Sequence, residues 1–253
     1  MKLFRKIRER LLQESKLIRY LIYGIGEITL VVIGILIAVA INNSNIEKID
    51  KLKETKYLKN IKLDLQKDLT SLNFNLTFRK ERYSGTSKLI SQINGQPIEN
   101  VTELAINVAN TLNEGRFTPN NSTYTELASS GNLNLISNDT IKKLILELEE
   151  LYKKNNFAID HETFDYREYI SKPVFKHINT EKLWPVLSGE KTITQQGISK
   201  FDFEKLFQSL EYKNGLVITN IITQSLIVMY EKIASKSKKI IELIEIELEQ
   251  REA

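Results

Sequence analysis

The longest apolar run in the chain extends from Tyr20 to Ile41 and reads YLIYGIGEITLVVIGILIAVAI, with Glu27 as its one charged residue. A helix rises about 1.5 Å per residue, so a run of this length reaches roughly 33 Å, close to the thickness of the hydrocarbon core of a bilayer. The run therefore predicts a transmembrane helix over residues 20–41.

Beyond the run, apolar residues recur every three or four positions, as on one face of a helix. Residues 42–83 contain no Gly or Pro, which predicts a long helix that Gly85 can end. Its apolar stripe comprises Leu58, Ile61, Leu65, Leu69, Leu72 and Leu76. A similar stripe, in a segment that should be helical from about Tyr212 to the end, comprises Ile233, Ile240, Ile244 and Leu248. We expect these first and last helices to pair antiparallel.

The middle of the chain contains helix start and stop signals. Asn94-Gly95-Gln96-Pro97 predicts a turn, and a helix from about Val101 to Leu112 has Asn100 as its N-cap. Thr123–Ser129 reads as a short helix that Gly131 closes. Ser137 or Asn138 should then cap a helix that runs to about Ile170, where Pro173 stops it.

Two segments are less regular. Residues 172–200 read as a long loop, which in a compact domain is either functional or partly disordered. Asp202 can cap a short helix. The apolar residues between Leu216 and Met229 invite interpretation as a second span, but Thr, Asn, Gln and Ser interrupt them, so we expect a buried core helix.

Charge gives the predicted span an orientation. Seven basic residues and two acidic ones precede Tyr20, and a basic flank stays on the cytoplasmic side. We therefore divide the chain into a basic cytoplasmic amphipathic segment (1–19), the transmembrane helix (20–41) and an extracytoplasmic helical domain (42–253). We expect the fold class to be all-α and the location to be a cell membrane that the chain crosses once.

The rival interpretation is a cleaved signal peptide, because Ala38-Val39-Ala40 has the form of a cleavage site. The long basic flank and the long apolar run favour an uncleaved anchor instead. The flank itself suits a helix lying on an anionic inner leaflet, with a docking helix for a cytoplasmic partner as the alternative. Residues 42–253 carry 29 basic and 29 acidic residues, and this neutrality argues against nucleic-acid binding.

Glu27 is the unusual residue of the predicted span. An intramembrane carboxylate is a functional candidate. Glu27 shares a helical face with Gly34, seven residues later, and with Ala38, four residues after Gly34. Small residues four apart let transmembrane helices approach closely. These three residues therefore predict a face through which the span self-associates, the alternative being a Glu that extends to the interface beside two incidental small residues.

Motifs of enzymatic chemistry are absent from the sequence. It contains no Cys, two His, no nucleophile elbow and no phosphate-binding glycine loop, so we expect no catalytic residue, cofactor or metal. One dense group of acids and a histidine comprises Asp160, His161, Glu162, Asp165 and Glu168. His161 and Asp165 are one turn apart and could share a metal, but His161 lies on the face of Phe157 and Phe164. We expect a half-buried packing histidine.

The segments FRKIRERLL, YLIYGIGEITLVVIGILIAVAINN and TYTELASSGNLNLISNDTIKKLILELEELY (123–152) resemble an uncharacterised family of bacterial single-pass membrane proteins, a domain of unknown function. The resemblance covers most of the chain and implies a location in the inner membrane of a bacterium. It implies no activity, ligand or catalytic residue.

Three classes of function follow. The first is a membrane-anchored interaction or scaffold module that binds the bilayer and either an unknown envelope protein or a second copy of itself. The second is an extracytoplasmic ligand-binding sensor that acts through a membrane partner. An enzyme comes last, because the motifs of catalysis are missing.

Overall fold

The computed structural model describes residues 16–188 and 197–252, and these form helices without any strand among them. The all-α class is thereby confirmed. The chain divides into two compact units, one up to Lys56 and one from Tyr57 onward. The predicted amphipathic segment falls almost wholly on residues outside the described part of the chain.

Helix α1 (Lys16–Ile93) forms the described part of the first unit and continues into the second. In the first unit its apolar side chains between Tyr20 and Ile41 are exposed, and none of its most apolar 18-residue window is buried. That window has a mean hydropathy of 2.5. The chain thus has a helix near its N-terminus that is apolar enough to span a membrane.

Three long helices build the second unit: residues 57–93 of α1, α4 (Asp139–Asp165) and α8 (Leu210–Glu252). Contacts between α1 and α8 run in opposite directions along the two helices, because Lys62 binds Glu245 at 2.8 Å whereas Lys80 binds Glu231 at 3.1 Å. The predicted antiparallel pairing of the long helices is therefore confirmed. Their shared core includes Leu58, Ile61, Leu65, Leu72, Ile141, Ile145, Leu148, Leu226, Tyr230, Ile233, Ile240 and Ile244.

A second core lies at the other end of this unit, where four of the shorter helices pack. These are α2 (Val101–Thr111), α5 (Lys172–His177), α6 (Trp184–Leu187) and α7 (Glu204–Gln208), whereas α3 (Ser122–Ser129) contributes Leu127 to the first core. A π-helix (Tyr166–Ser171) joins α4 to α5, and 3₁₀ turns occupy Asn132–Leu135, Thr180–Leu183 and Lys200–Phe203. The second core includes Leu89, Leu104, Val108, Ile170, Val174, Leu183, Phe203, Leu206, Tyr212 and Leu216.

The predicted caps and turns are present. Asn100 Oδ1 accepts the backbone N–H of Glu103 at 3.1 Å and so caps α2. Asn138 accepts from the N–H groups of Thr140 and Ile141 and caps α4. Gly95 and Gly131 have φ of 105° and 71°, the left-handed conformation that favours glycine and explains both chain reversals.

Gly85 does not end α1, contrary to expectation. The helix continues to Ile93, and a Cβ at Gly85 would lie 2.8 Å from Asn107 Oδ1 of α2. This glycine therefore allows α2 to approach.

Pro173 does not stop the helical path either, since it occupies the first turn of α5, where a missing N–H costs nothing. Residues 172–187 are consequently helical turns rather than a long loop, and residues 189–196 lie outside the described part. Asp202 sits at the third position of its turn, where it completes a capping box with Ser199.

Helix α8 meets the length and composition of a membrane span, with a mean hydropathy of 1.2, yet one third of that window is buried. Its inner face packs in the bundle, as predicted for a core helix, but its other face is exposed.

Candidate functional site

The α2–α3 connection (residues 112–121) is a non-helical segment with a buried centre. Phe117 is completely buried, with its ring centroid 6.1 Å from that of Tyr152 on α4 and 5.7 Å from that of Tyr230 on α8. A buried backbone without helical hydrogen bonds needs other partners for its N–H and C=O groups.

Side chains from all three long helices supply those partners. Tyr230 Oη accepts the N–H of Phe117 at 3.3 Å, and Asn155 donates to the Phe117 carbonyl at 3.2 Å. Arg79 donates to the carbonyl of Gly115 at 2.8 Å. The connection is thus fixed simultaneously by α1, α4 and α8.

Arg79 also belongs to a buried charge cluster with Arg82 and Glu162. Arg79 donates to both carboxylate oxygens of Glu162, with Nη2 at 2.7 Å from Oε2, and Arg82 Nη1 donates to Oε1 at 3.1 Å. Burial lowers the pKa of Arg82, and Glu162 opposes that shift. Two guanidinium groups therefore share one carboxylate in the interior, and Nε and Nη2 of Arg82 have no hydrogen-bond partner among the described residues.

A second polar centre anchors α3 to α1. Asp64 accepts from the N–H and hydroxyl groups of Thr123, at 3.3 and 2.6 Å, so it caps α3 from another helix. Asp68 is buried and accepts from Tyr152 Oη at 2.7 Å and from the N–H of Asn120 at 2.8 Å. Desolvation raises the pKa of Asp68.

Between Asp64, Tyr124, Glu149 and Tyr152 lies a small cavity of ≈ 30 Å³. One water needs roughly 10–15 Å³ measured this way, so the cavity holds about two, whereas pockets for organic ligands are typically about 300–1,000 Å³. Its carboxylates are already engaged with α3 and Asn121. The carboxylates that line this cavity therefore stabilise the fold.

The π-helix packs closely on α8 at Gly215. A Cβ at Gly215 would lie 2.5 Å from the carbonyl oxygen of Tyr169, closer than side chains approach. Only a residue without a side chain permits this contact between α8 and the backbone of the π-helix.

The acid and histidine group of α4 is split by the fold. Glu162 points inward to the two arginines, whereas His161 is exposed with Phe157 and Phe164. The rings of His161 and Phe157 are 4.8 Å apart. The expected half-buried packing histidine is therefore wrong, because this aromatic face points away from the bundle. Within the described residues, no group of three or more His, Cys, Asp or Glu could hold a metal.

Glu27, Gly34 and Ala38 lie on one face of the uninterrupted helix α1 and are exposed. Glu27 borders a shallow groove with Gly24, Ile28 and Val31. Within the described residues, no atom outside the adjacent helical backbone lies within 4 Å of a Cβ built on Gly34. The face is open to a partner, and its self-association stays a prediction.

The exposed side of α8 is unusual because residues 214–230 contain no charged residue. Four exposed apolar residues on this side follow one another at steps of seven, four and seven positions: Leu210, Val217, Ile221 and Val228. We call these four residues the α8 outer face. These side chains are 70%, 41%, 60% and 46% exposed. Over 18 steps of about 1.5 Å, the stripe is roughly 27 Å long.

Comparison with models of protein families gives a match. A family model described as "Family of unknown function (DUF6090)" matches residues 27–187. The match includes part of the N-terminal apolar helix, the α2–α3 connection and all three members of the buried charge cluster. No curated protein and no solved structure matches the chain.

Proposed function

We propose a function from the surfaces of the chain itself, because the chain belongs to DUF6090, a family of unknown function that supplies no activity. The proposal is a membrane-anchored helical interaction module of the bacterial envelope. In this proposal the N-terminal part of helix α1 anchors the protein in the inner membrane, with the N-terminus in the cytoplasm. The unit from Tyr57 onward then lies on the extracytoplasmic side.

The observation that carries this proposal is the α8 outer face. Isolated exposed apolar residues are normal on a soluble protein, but a contiguous apolar patch marks an interaction site. The four residues form one stripe, and no charged residue interrupts the sequence between Asn214 and Tyr230. A helix face that only met water would not need this composition.

The alternative is an extracytoplasmic ligand-binding sensor, and we rank it second. The cavity beside Asp64 has room for about two waters, which is too little for an organic ligand. In contrast, an exposed apolar stripe runs along α8 in the described part of the chain, and it supports an interaction module.

Site-specific photocrosslinking tests the interaction module. A photoreactive amino acid replaces Ile221 on the α8 outer face of the full chain in cells, and the matched control replaces Asn73, which is exposed on α1. We expect discrete protein adducts from position 221 in excess over position 73. Equal, diffuse labelling at both positions would contradict an interaction surface on α8.

Topology has its own test. Alkaline phosphatase fused after Ala253 should be active, since the basic flank keeps the N-terminus inside. An inactive fusion, or a mature N-terminus at Ile41, would overturn the proposed anchor and orientation.

The transmembrane face of Glu27, Gly34 and Ala38 would support assembly of such modules. Gly34→Ile places a branched side chain where a partner helix would lie, so it should weaken pairing more than Val32→Ile. A membrane two-hybrid assay measures this, and equal signals from both variants and the wild type would show a face that only meets lipid.

A further inference from the structure

We infer that the α8 outer face pairs with the same face of a second copy of this chain, in parallel and in register. The inference rests on the proposed interaction module and names its partner. It is separate from the transmembrane face, because it concerns α8 alone.

The apolar positions fit such a pair. At about 100° per residue, Leu210, Val217, Ile221 and Val228 lie within roughly 20° of one line along α8. In a parallel pair in register, each of them meets its own counterpart, so the seam is apolar at these four levels. The exposed residues between them on this side, Asn214, Gln224 and Ser225, carry no charge to desolvate.

Four charged residues bound the uncharged stretch, and their placement fits the same pair. Glu211 and Lys213 lie at its start, on opposite sides of the stripe, and Glu231 and Lys232 lie at its end, again on opposite sides. A two-fold axis along the helices brings one side of the stripe against the other side of the second copy. Glu211 then faces Lys213 of the second copy, and Glu231 faces Lys232 of the second copy.

Glu231 also binds Lys80 of α1 at 3.1 Å. Both side chains are more than half exposed, and exposed pairs of this kind exchange partners at little cost. The contact with Lys80 is therefore compatible with the pairing.

An antiparallel pair cannot satisfy both patterns. If the two-fold axis passes between Val217 and Ile221, apolar residues of the two copies face each other, but Lys213 lies opposite Ser225. If the axis passes near Ile222, residues of opposite charge face each other, but Leu210 lies near Lys232. The parallel arrangement alone aligns apolar and charged residues together, and it is the arrangement we propose.

The size of the stripe sets where pairing occurs. A strip about 27 Å long and about 10 Å wide gives roughly 500 Å² over two copies, which is below the roughly 1,200 Å² of a stable interface between free proteins. Confinement in a membrane raises the effective concentration of the two copies. Pairing is therefore expected in the membrane, and the test belongs there.

The chain contains no Cys, so single cysteines report the pairing directly. Val217→Cys, Ile221→Cys and Val228→Cys, each alone in the full chain in membranes, should form disulfide-linked dimers, and the control Asn73→Cys should not. Adding Ile221→Glu to Val228→Cys should lower the dimer fraction about tenfold or more, because it buries two carboxylates in an apolar seam. No dimer at any of the three positions would overturn the inference.

Charge exchange distinguishes the two orientations. Lys213→Glu sets like charges across the parallel seam and should reduce the Val228→Cys dimer. Adding Glu211→Lys should restore it, because the two residues face each other between copies. In either antiparallel pair the two copies of residue 228 lie roughly 18 Å or more apart along the helices, which is too far for a disulfide. A dimer at Ile221→Cys without one at Val228→Cys, or a double variant whose Val228→Cys dimer is not restored, would therefore refute the parallel arrangement.

The outcomes separate this inference from the proposed function. Photocrosslinked adducts at Ile221 with a different protein, without cysteine dimers, would leave the interaction module standing and overturn self-pairing. Absence of both adducts and dimers would overturn both.

Discussion

Replacing Glu162 by Gln should destabilise the second unit strongly, because it leaves two buried guanidinium charges without a counter-charge. Glu162 accepts two hydrogen bonds from Arg79 and one from Arg82, and all three side chains are buried. Removing one partner of a buried ion pair costs about 3–5 kcal/mol. That is a fifth or more of the roughly 5–15 kcal/mol that stabilises a typical domain.

For a unit of this size, about 1 kcal/mol shifts Tm by roughly 2–4 °C, so Glu162→Gln should lower Tm by roughly 6–20 °C. Thermal unfolding of the full chain in mild detergent, followed by circular dichroism at 222 nm, measures the shift. The matched control is Glu150→Gln on the same helix, which loses only an exposed contact with Lys153 and should hardly change Tm.

A second variant tests whether the excess of positive charge causes the loss of stability, because the cluster has two arginines and one glutamate. Arg82→Met leaves Arg79 and Glu162 as a neutral, doubly hydrogen-bonded pair, so it should cost less than Glu162→Gln. If Glu162→Gln behaved like Glu150→Gln, or if Arg82→Met were the more damaging change, the argument from buried charge would be refuted.

Three further predictions concern the same unit. Gly215→Ala should lower Tm, since its Cβ would meet the Tyr169 carbonyl at 2.5 Å, whereas Asn214→Ala next to it should not; equal melting would show that the π-helix can shift. Phe117→Ala should cost about 3–5 kcal/mol in denaturant unfolding, as for other buried aromatics, and a loss near zero would argue against the buried connection. The raised pKa of Asp68 lowers stability as pH rises above the ordinary value of 3.8. The stability of wild type relative to Asp68→Asn should therefore be greater at pH 3 than at pH 7, and a pH-independent difference would refute this.

Local signals in the sequence identified most of the elements. Apolar periodicity and capping residues predicted the long helices, Asn100, Asn138 and Gly131, because these features act within a few residues. Gly85 and Pro173 were misread, since their roles depend on α2 and on the π-helix, which no local pattern reveals.

The buried polar centres were missed, although a signal for them existed. The inner face of α1 follows steps of three and four without a break, and its buried members are Ile61, Leu65, Asp68, Leu72, Asn75, Arg79, Arg82, Thr86 and Leu89. The predicted apolar stripe runs through Leu69 and Leu76 instead, because the spacing of apolar residues does not mark buried polar positions. The spacing of residues along α1 cannot show which helix supplies the partners of its buried polar residues, because those contacts depend on the tertiary structure.

The fixed α2–α3 connection has a consequence for the biogenesis of the chain. Phe117 receives its backbone partners from Asn155 and Tyr230, 38 and 113 positions later. During synthesis α8 emerges after α1 and α4, so the connection lacks its partner on α8 until that helix is made. Until then we expect the inner face of α1 to carry Asp68, Arg79 and Arg82 in water, where charged residues oppose premature pairing with other apolar helices. The charges that are buried in the finished bundle should therefore also protect the nascent chain from wrong pairing.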